Sequence, residues 1–128
     1  MTPEVQHLVW GVALLIIHIL VQATFSDLSK GIGWALGPQD SARDQSAVAG
    51  RIQRALRNYL ETFPAFIALA LALAVTDMGN ATSAMGAAVW FWARIVYIPA
   101  YVIAIPMLRS VTWFVSIGGL LMMLMPLL

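Results

Sequence analysis

Polar and charged side chains recur at helical spacing along one stretch of the sequence, RIQRALRNYLETFPAF at residues 51–66. At steps of three, four and three positions it carries Arg51, Arg54, Asn58 and Glu61. Because an α-helix turns by about 100° per residue, these steps bring all four side chains into one stripe. Guanidinium groups bind carboxylates through paired hydrogen bonds, and amide or carboxylate side chains can bind amide and ammonium groups. The stripe predicts a binding surface, whereas Gln53 and Arg57 are predicted to point elsewhere, toward water or lipid head groups.

A second polar cluster lies in the stretch WFWARIVYIPAY, in which three residues share one helical face: Arg94, Tyr97 and Tyr101. Arg94 lies near the middle of an apolar run, where an arginine costs about 2.5 to 3.5 kcal/mol to insert into a membrane. We expect Glu61 to compensate this charge, with Asn58 and the two tyrosines as further hydrogen-bond partners. Arg109 would add a positive group at the rim of the same cavity.

Together these residues predict a cationic, tyrosine-lined recess that opens toward the cytoplasm and suits a small polyanionic ligand. Glutathione carries the matching carboxylate, amide, ammonium and thiol groups. Other roles for the same residues stay open. The first stripe could be a polar seam that locks an oligomer, Arg94 with its tyrosines could form an intramembrane hydrogen-bond network, and Arg109 could be a lipid head-group anchor.

The composition of the chain excludes several classes of function. Of its 128 residues, 61% are hydrophobic and only 10% are charged, whereas soluble domains carry about a quarter charged residues. This composition indicates an integral membrane protein. Because the chain has no cysteine, it has no disulfide, thiolate metal ligand or thiol nucleophile of its own, and no metal site is expected. The formal charge of +1 comes without a basic run, so nucleic acid is not an expected partner.

Four apolar stretches are long enough to cross a membrane, which takes about 20 residues per helix. We predict an all-α integral membrane protein, a four-transmembrane-helix bundle in a single domain at residues 1–128. The predicted helices cover residues 5–24, 51–76, 84–105 and 110–128, and residues 25–50 form a predicted cytoplasmic loop. The second helix should begin near Arg51, since no breaker follows Gly50, and should bend at Pro64. His18, in the middle of the first helix, is expected to form an interhelical hydrogen bond.

The basic residues lie mainly in or beside the first and third connections, and the second connection, TDMGNATSAMG, has none. By the positive-inside rule, the first and third connections face the cytoplasm. Both termini and the second connection then face the opposite side. The expected location is a bacterial inner membrane, whose lipid surrounds the helices.

The two motifs resemble those of a known family, the membrane-associated proteins in eicosanoid and glutathione metabolism (MAPEG), in particular its small bacterial-type members. RIQRALRNYLETFPAF is similar to the family signature through Arg54, Asn58, Glu61 and the Phe63-Pro64 pair. ARIVYIPAY and the following LRS are similar to the family's third-to-fourth-helix motif through Arg94, Tyr97, Tyr101 and Arg109.

This resemblance implies a homotrimer that binds glutathione between neighbouring protomers near the cytoplasmic side, while an apolar co-substrate approaches from lipid. The implied activity is that of a glutathione S-transferase or peroxidase acting on an apolar electrophile. Arg109 would be the catalytic residue, because the resemblance gives it the role of stabilising the glutathione thiolate. The expected glutathione-binding residues are Arg51, Arg54, Asn58, Glu61, Arg94, Tyr97 and Tyr101.

The chain departs from some family members at the end of the first helix, QATFSDLSKG, where those members carry arginines. Only Lys30 could take their place, and Asp27 would oppose an anion. Thr62 and Leu56 also stand where some members have polar or aromatic groups that hold glutathione. These departures keep a second function open, that of a non-catalytic membrane scaffold or accessory subunit which retains the fold. Whether the protein is an enzyme is therefore an open question at this stage.

Overall fold

The computed structural model describes residues 1–39 and 43–128 and shows an all-helical protein. Within these residues, four long helices account for most of the chain, and one short helix follows the first of them. In chain order the helices are α1 (Pro3–Lys30), α2 (Ile32–Leu36), α3 (Ala47–Thr76), α4 (Ala81–Val102) and α5 (Pro106–Leu124), with a 3-10 turn at Met125–Leu127. The four long helices are each long and apolar enough to cross a membrane. The protein is therefore an integral, multi-pass membrane protein.

The first two long helices extend beyond their predicted ends, and the loop between them is shorter. α1 continues past residue 24 to Lys30, because no proline or glycine interrupts the polar residues there. α3 begins at Ala47, earlier than predicted, because the Ser46 side chain accepts a hydrogen bond from the Ala49 backbone N–H at 3.1 Å and caps the helix. The predicted loop at residues 25–50 thus includes the end of α1, all of α2 and the start of α3.

The turn between α4 and α5 is also tighter than predicted. α4 ends at Val102 rather than at residue 105, and α5 begins at Pro106 rather than at residue 110. Ala104 adopts a positive φ of 60° within this turn, and Pro106 opens the next helix because its fixed φ suits the first helical position. The short turn brings Arg109 back toward the end of α4.

The core is a group of aromatic rings between α3 and α4. The centroids of the Phe66 and Trp90 rings are 4.2 Å apart, and the rings are stacked. Tyr59 and Phe63 both pack against Trp90 as well. The Tyr59 hydroxyl donates a hydrogen bond to the Gly11 carbonyl oxygen at 2.7 Å. One side chain therefore ties α1 to the packed pair of α3 and α4.

Two more polar contacts fix α1 in the bundle. His18 Nε2 donates a hydrogen bond to the Ile52 carbonyl oxygen at 3.3 Å, which is the interhelical bond expected from the sequence. Near the N-terminus, the buried Glu4 carboxylate accepts a hydrogen bond from the Ser83 hydroxyl. Ser83 also belongs to the capping box that Asn80 forms at the start of α4. Both halves of α1 are thus held by buried hydrogen bonds.

α4 and α5 cross at two glycines whose backbones are in contact. A Cβ atom added to Gly86 would lie 2.6 Å from the Gly119 carbonyl oxygen, and one added to Gly119 would lie 2.7 Å from the Gly86 carbonyl oxygen. No side chain fits at either position. Close approach through small residues is a common way for membrane helices to pack. This crossing sets where α5, and Arg109 on it, lies relative to α4.

Candidate ligand-binding site

A recess of 250 Å³ lies between α3, α4 and α5 and combines residues of both sequence motifs. Three of the predicted site residues line it, one from each helix: Asn58, Tyr97 and Arg109. The rest of its wall comes from α5, through Ser110, Trp113 and Phe114. The recess therefore joins an amide, a phenol and a guanidinium group to an aromatic side. Because Phe114 is 69% exposed, that side reaches the outer surface of α5 in the single chain.

Tyr101 connects this recess to the arginine stripe of α3. The guanidinium carbon of Arg109 lies 5.0 Å from the centroid of the Tyr101 ring, within the range of a cation–π contact. From the other side, Arg54 Nε donates a hydrogen bond to the Tyr101 hydroxyl at 3.2 Å. The Tyr97 and Tyr101 ring centroids are 5.7 Å apart. Two guanidinium groups are thereby gathered around one phenol beside the recess.

Arg51 makes a contact within the chain, beside the recess. Its Nε donates a hydrogen bond to the Val102 carbonyl oxygen at 2.8 Å. That carbonyl belongs to the last turn of α4, where backbone oxygens have no helical donor. Arg51 and Arg54 also line a wider opening of 610 Å³ at the start of α3. Arg51 therefore joins α3 to the end of α4. If Arg51 also binds a ligand, as the sequence predicts, the ligand would reach it through this opening.

The predicted ion pair between Arg94 and Glu61 is wrong for the single chain. Arg94 is fully buried, Glu61 is exposed, and none of the three guanidinium nitrogens of Arg94 has a hydrogen-bond partner among the described residues. The guanidinium carbon instead lies 4.2 Å from the centroid of the Tyr97 ring and 5.6 Å from that of Tyr59. The sequence places Tyr97 beside Arg94 on one helical face, but it could not reveal the contact with Tyr59, which belongs to another helix.

These ring contacts offset part of the cost of burying the Arg94 charge. A desolvated cation–π contact contributes about 2 kcal/mol, so two rings give about 4 kcal/mol. The insertion cost of an arginine at the centre of a membrane helix is about 2.5 to 3.5 kcal/mol. The rings thus stabilise the Arg94 charge in the single chain, while its three guanidinium nitrogens have no hydrogen-bond partner among the described residues. Arg94 contacts Tyr97, which lines the recess, whereas Arg94 does not belong to the lining.

Glu61 lies in a different pocket from Asn58, which splits the predicted stripe. This second pocket, of 380 Å³, opens between α1 and α3 and is lined by Gln22, Gln53, Leu56, Arg57, Leu60 and Glu61. Gln53 and Arg57, which are predicted to point toward water or lipid head groups, line this pocket together with Glu61, and Arg57 is exposed. Three residues along a helix leave an offset of about 60°, which is enough to place Asn58 and Glu61 on different flanks of α3.

Lys30 does not reach the recess of Asn58 and Arg109 in the single chain. Its Nζ lies 5.1 Å from the centroid of the Trp34 ring, and its carbonyl oxygen accepts a hydrogen bond from Arg43 Nη1 at 3.1 Å. These contacts hold the end of α1 against α2 and the segment before α3. They give no support to the idea that Lys30 takes the place of the arginines that some family members carry.

Two residues of the pockets escaped the sequence analysis for different reasons. Trp113 reads from the sequence as a packing or interfacial residue, yet it lines the recess one turn after Arg109. Its spacing from Arg109 is a usable signal, because residues four apart share a helical face. Gln22 carries no such signal, since it meets Glu61 only through the packing of α1 on α3.

The family model of the MAPEG family matches residues 7–128, nearly the whole chain. No curated protein and no solved structure matches the chain.

Proposed function

The chain belongs to the MAPEG family, and from this premise we propose that it binds glutathione between neighbouring protomers of a homotrimer and transfers it to an apolar electrophile. Reduction of an apolar hydroperoxide is the related activity, in which two glutathione molecules give a disulfide, an alcohol and water. We place the protein in a bacterial inner membrane, with both termini on the non-cytoplasmic side.

The single observation that carries this proposal is the recess that holds Asn58, Tyr97 and Arg109 together. A thiol is a nucleophile only as its thiolate, and a guanidinium group in a poorly hydrated recess favours that anion. A hundredfold increase in the thiolate fraction takes about 2.7 kcal/mol of differential stabilisation. The thiolate sulfur would then attack the electrophilic carbon and displace its leaving group, with Arg109 facing the sulfur.

The exposed face of α3 supports assembly with further copies of the chain. Its exposed residues include two interleaved sets with intervals of seven: Arg57, Pro64, Leu71 and Glu61, Ala68, Val75. A seven-residue repeat is the pattern by which long helices pack along one seam. At its start the seam overlaps the α1–α3 pocket, because Arg57 and Glu61 also line that pocket, whereas Asn58 lines the recess. Neighbouring chains packed along it would close both cavities.

The route of the apolar co-substrate is supported by the aromatic side of the recess. Trp113 and Phe114 line it from α5, and Phe114 is largely exposed. A molecule dissolved in the hydrocarbon layer could reach the recess along these rings without passing through water. The polar residues, Asn58 and Arg109, lie at the same recess and would hold the glutathione.

Calorimetric titration of glutathione into detergent-solubilised protein, together with conjugation of an aryl halide, tests the proposal. We expect saturable binding and measurable conjugation, and we expect Arg109→Ala to lower the conjugation rate about a hundredfold, as for loss of one stabilising donor. Arg43→Ala, which removes an exposed arginine of the α2–α3 connection, is the matched control and should retain the rate. No saturable heat, or an unchanged rate in Arg109→Ala, would rule the proposal out.

A second candidate function is a non-catalytic scaffold or accessory subunit, and the contacts of the arginines favour it. Arg51 binds a backbone carbonyl, Arg54 binds a tyrosine hydroxyl and Arg94 packs between rings. All three thus stabilise the chain itself. Melting with and without glutathione separates the two functions, because a ligand at a hundred times its Kd stabilises the folded protein by about 2.7 kcal/mol. Identical melting curves at saturating glutathione would favour the scaffold.

A further inference from the structure

A further cavity, of 320 Å³, opens between α1, α3 and α4 and is lined almost entirely by apolar side chains. We call it the His18 pocket, because His18 has the one polar side chain among the described residues that line it. It shares no lining residue with the recess or with the α1–α3 pocket. Its volume is at the small end of the range for ligand sites. The His18 pocket is therefore a separate site from those already described.

The rim of the His18 pocket is exposed and its floor is buried. Ile17, Val21 and Phe25 are exposed along α1, whereas His18 and Ile52 are buried. The three helices around the pocket are each long and apolar enough to cross a membrane, so in the single chain the exposed rim meets hydrocarbon. A ligand that enters from the bilayer must therefore have an apolar body.

His18 brings a hydrogen-bond acceptor without a donor to this pocket. Its ring is held by Nε2, which donates to the Ile52 carbonyl oxygen at 3.3 Å. Because a carbonyl oxygen only accepts, Nε2 carries the hydrogen and Nδ1 is an acceptor. Nδ1 is buried and has no hydrogen-bond partner among the described residues. Buried polar atoms are almost always hydrogen-bonded, because burial removes the water that would otherwise bind them. The ring therefore needs a group that donates one hydrogen bond.

We propose that the His18 pocket binds an aliphatic alcohol from the bilayer, which donates its hydroxyl hydrogen to His18 Nδ1 and lays its chain along the apolar wall. A carboxylate does not fit, since it only accepts hydrogen bonds and no described residue of the lining is cationic. A hydrocarbon, an ether or an ester has no hydrogen to donate. The alcohol stands apart from the glutathione chemistry, because no residue of the recess takes part.

The alcohol must displace part of the cover over Nδ1, because that atom is buried in the single chain. The exposed rim residues Ile17 and Val21 lie next to His18 and three positions after it on α1. Exposed side chains change rotamer within nanoseconds. The rim can therefore open for a hydroxyl group without a movement of the helices.

Nitrogen NMR of the histidine rings tests the proposal, because the chain has two histidines. The full chain with isotope-labelled histidine is placed in phosphatidylcholine nanodiscs and titrated with octanol. A ring nitrogen that accepts a hydrogen bond moves to lower chemical shift, so we expect a saturable shift of the His18 Nδ1 resonance. His7 is the internal control. Its Nδ1 lies 2.7 Å from the Pro3 carbonyl oxygen and is therefore already a donor, so its resonance should stay in place.

Methyl heptyl ether is the matched control ligand, because it is an isomer of octanol that accepts hydrogen bonds but cannot donate one. Competition against azioctanol, an octanol with a photoreactive diazirine, compares the affinities, and mass spectrometry locates the adducts. The adducts should fall on residues of the His18 pocket. Octanol should compete about tenfold better than the ether, which is the effect of one hydrogen bond. On His18→Leu the two should compete about equally.

Val21→Trp should fill the pocket and abolish the octanol-induced shift, while the His18 ring itself stays unaltered. Val12→Trp is the matched control, because Val12 and Val21 are exposed to almost the same extent, 40% and 39%. Val12 is not among the described residues that line the pocket, and the spacing of the two valines puts them on opposite sides of α1. This variant should bind octanol as the wild type does.

An unchanged His18 Nδ1 resonance at saturating octanol would overturn the proposal, and this measurement needs no variant. An equal shift with methyl heptyl ether would also overturn it, because the ring would then respond to the filling of the pocket and not to a hydrogen bond. Phosphatidylcholine has no hydroxyl group to donate. A resonance that is already at the hydrogen-bonded position before octanol is added would therefore mean that the protein itself satisfies Nδ1, which contradicts the proposal too. None of these measurements involves glutathione.

Discussion

At the scale of single residues, the most unusual feature is an arginine that is fully buried and surrounded by aromatic rings. No carboxylate among the residues that the structure describes pairs with Arg94, and the faces of Tyr97 and Tyr59 stabilise its charge instead. Tyr97 in turn lines the recess. Arg94 thus holds the ring that a ligand in the recess would touch. In our proposal Arg94 therefore does not bind the ligand directly, as the sequence predicts, but positions Tyr97.

Arg94 and Tyr97 should therefore be energetically coupled. Tyr97→Leu removes the nearer ring and should destabilise the protein by about 2 kcal/mol or more, because the guanidinium is left buried against an aliphatic side chain. In an Arg94→Leu background the same change should cost much less, since no charge remains to be compensated. A double-mutant cycle on unfolding free energies in detergent measures the coupling, which we expect to be about 2 kcal/mol. Additive effects would show that the ring contact does not stabilise the charge.

At the scale of helices, the crossing of α4 and α5 determines the shape of the recess. Tyr97 lies on α4 and Arg109 on α5, and the two helices meet backbone to backbone at Gly86 and Gly119. Any side chain at the crossing must push the helices apart. The distance between the recess residues then changes although neither has been altered.

Gly119→Ala should separate α4 from α5, destabilise the protein by about 1 to 3 kcal/mol and weaken glutathione binding. Gly118→Ala is a matched control on the same helix, because a Cβ at Gly118 meets no atom within 4 Å. It should leave binding intact and stabilise the helix by up to about 1 kcal/mol. Melting curves and calorimetry on both variants check the expectation. Equal behaviour of the two would mean that the crossing does not control the recess.

Sequence patterns predict the helices well and their contacts poorly, for a physical reason. Hydropathy and length depend on local composition, so the four spans can be predicted from the sequence, as can the grouping of Asn58, Tyr97 and Arg109. The pairing of Glu4 with Ser83 and the contact of Arg94 with Tyr59 depend on how helices rotate against one another. Helical spacing fixes positions within one helix but not that rotation, so the stripe through Asn58 and Glu61 was predicted as one surface and is found as two.

At the scale of the whole molecule, α3 is the element on which assembly and ligand binding would meet. Its exposed seam contains small and apolar residues such as Ala68 and Leu71, and α3 contributes residues to both cavities, Glu61 to one and Asn58 to the other. A single chain leaves both cavities open. In our proposal only the oligomer encloses a ligand.

Ala68→Phe should prevent assembly, because a large side chain cannot be accommodated where helices pack closely through small residues. Ala23→Phe, which places the same ring at an exposed position of α1, should leave assembly unchanged. Chemical cross-linking in membranes, followed by electrophoresis, reports the oligomeric state. A trimer that persists in Ala68→Phe would show that α3 does not form the central contact.

The most direct test is the structure of the detergent-solubilised protein soaked with glutathione. Our account predicts glutathione between two protomers, with its sulfur beside the Arg109 guanidinium of one of them. A lipid chain in the Asn58–Tyr97–Arg109 recess and no glutathione at any protomer boundary would contradict it.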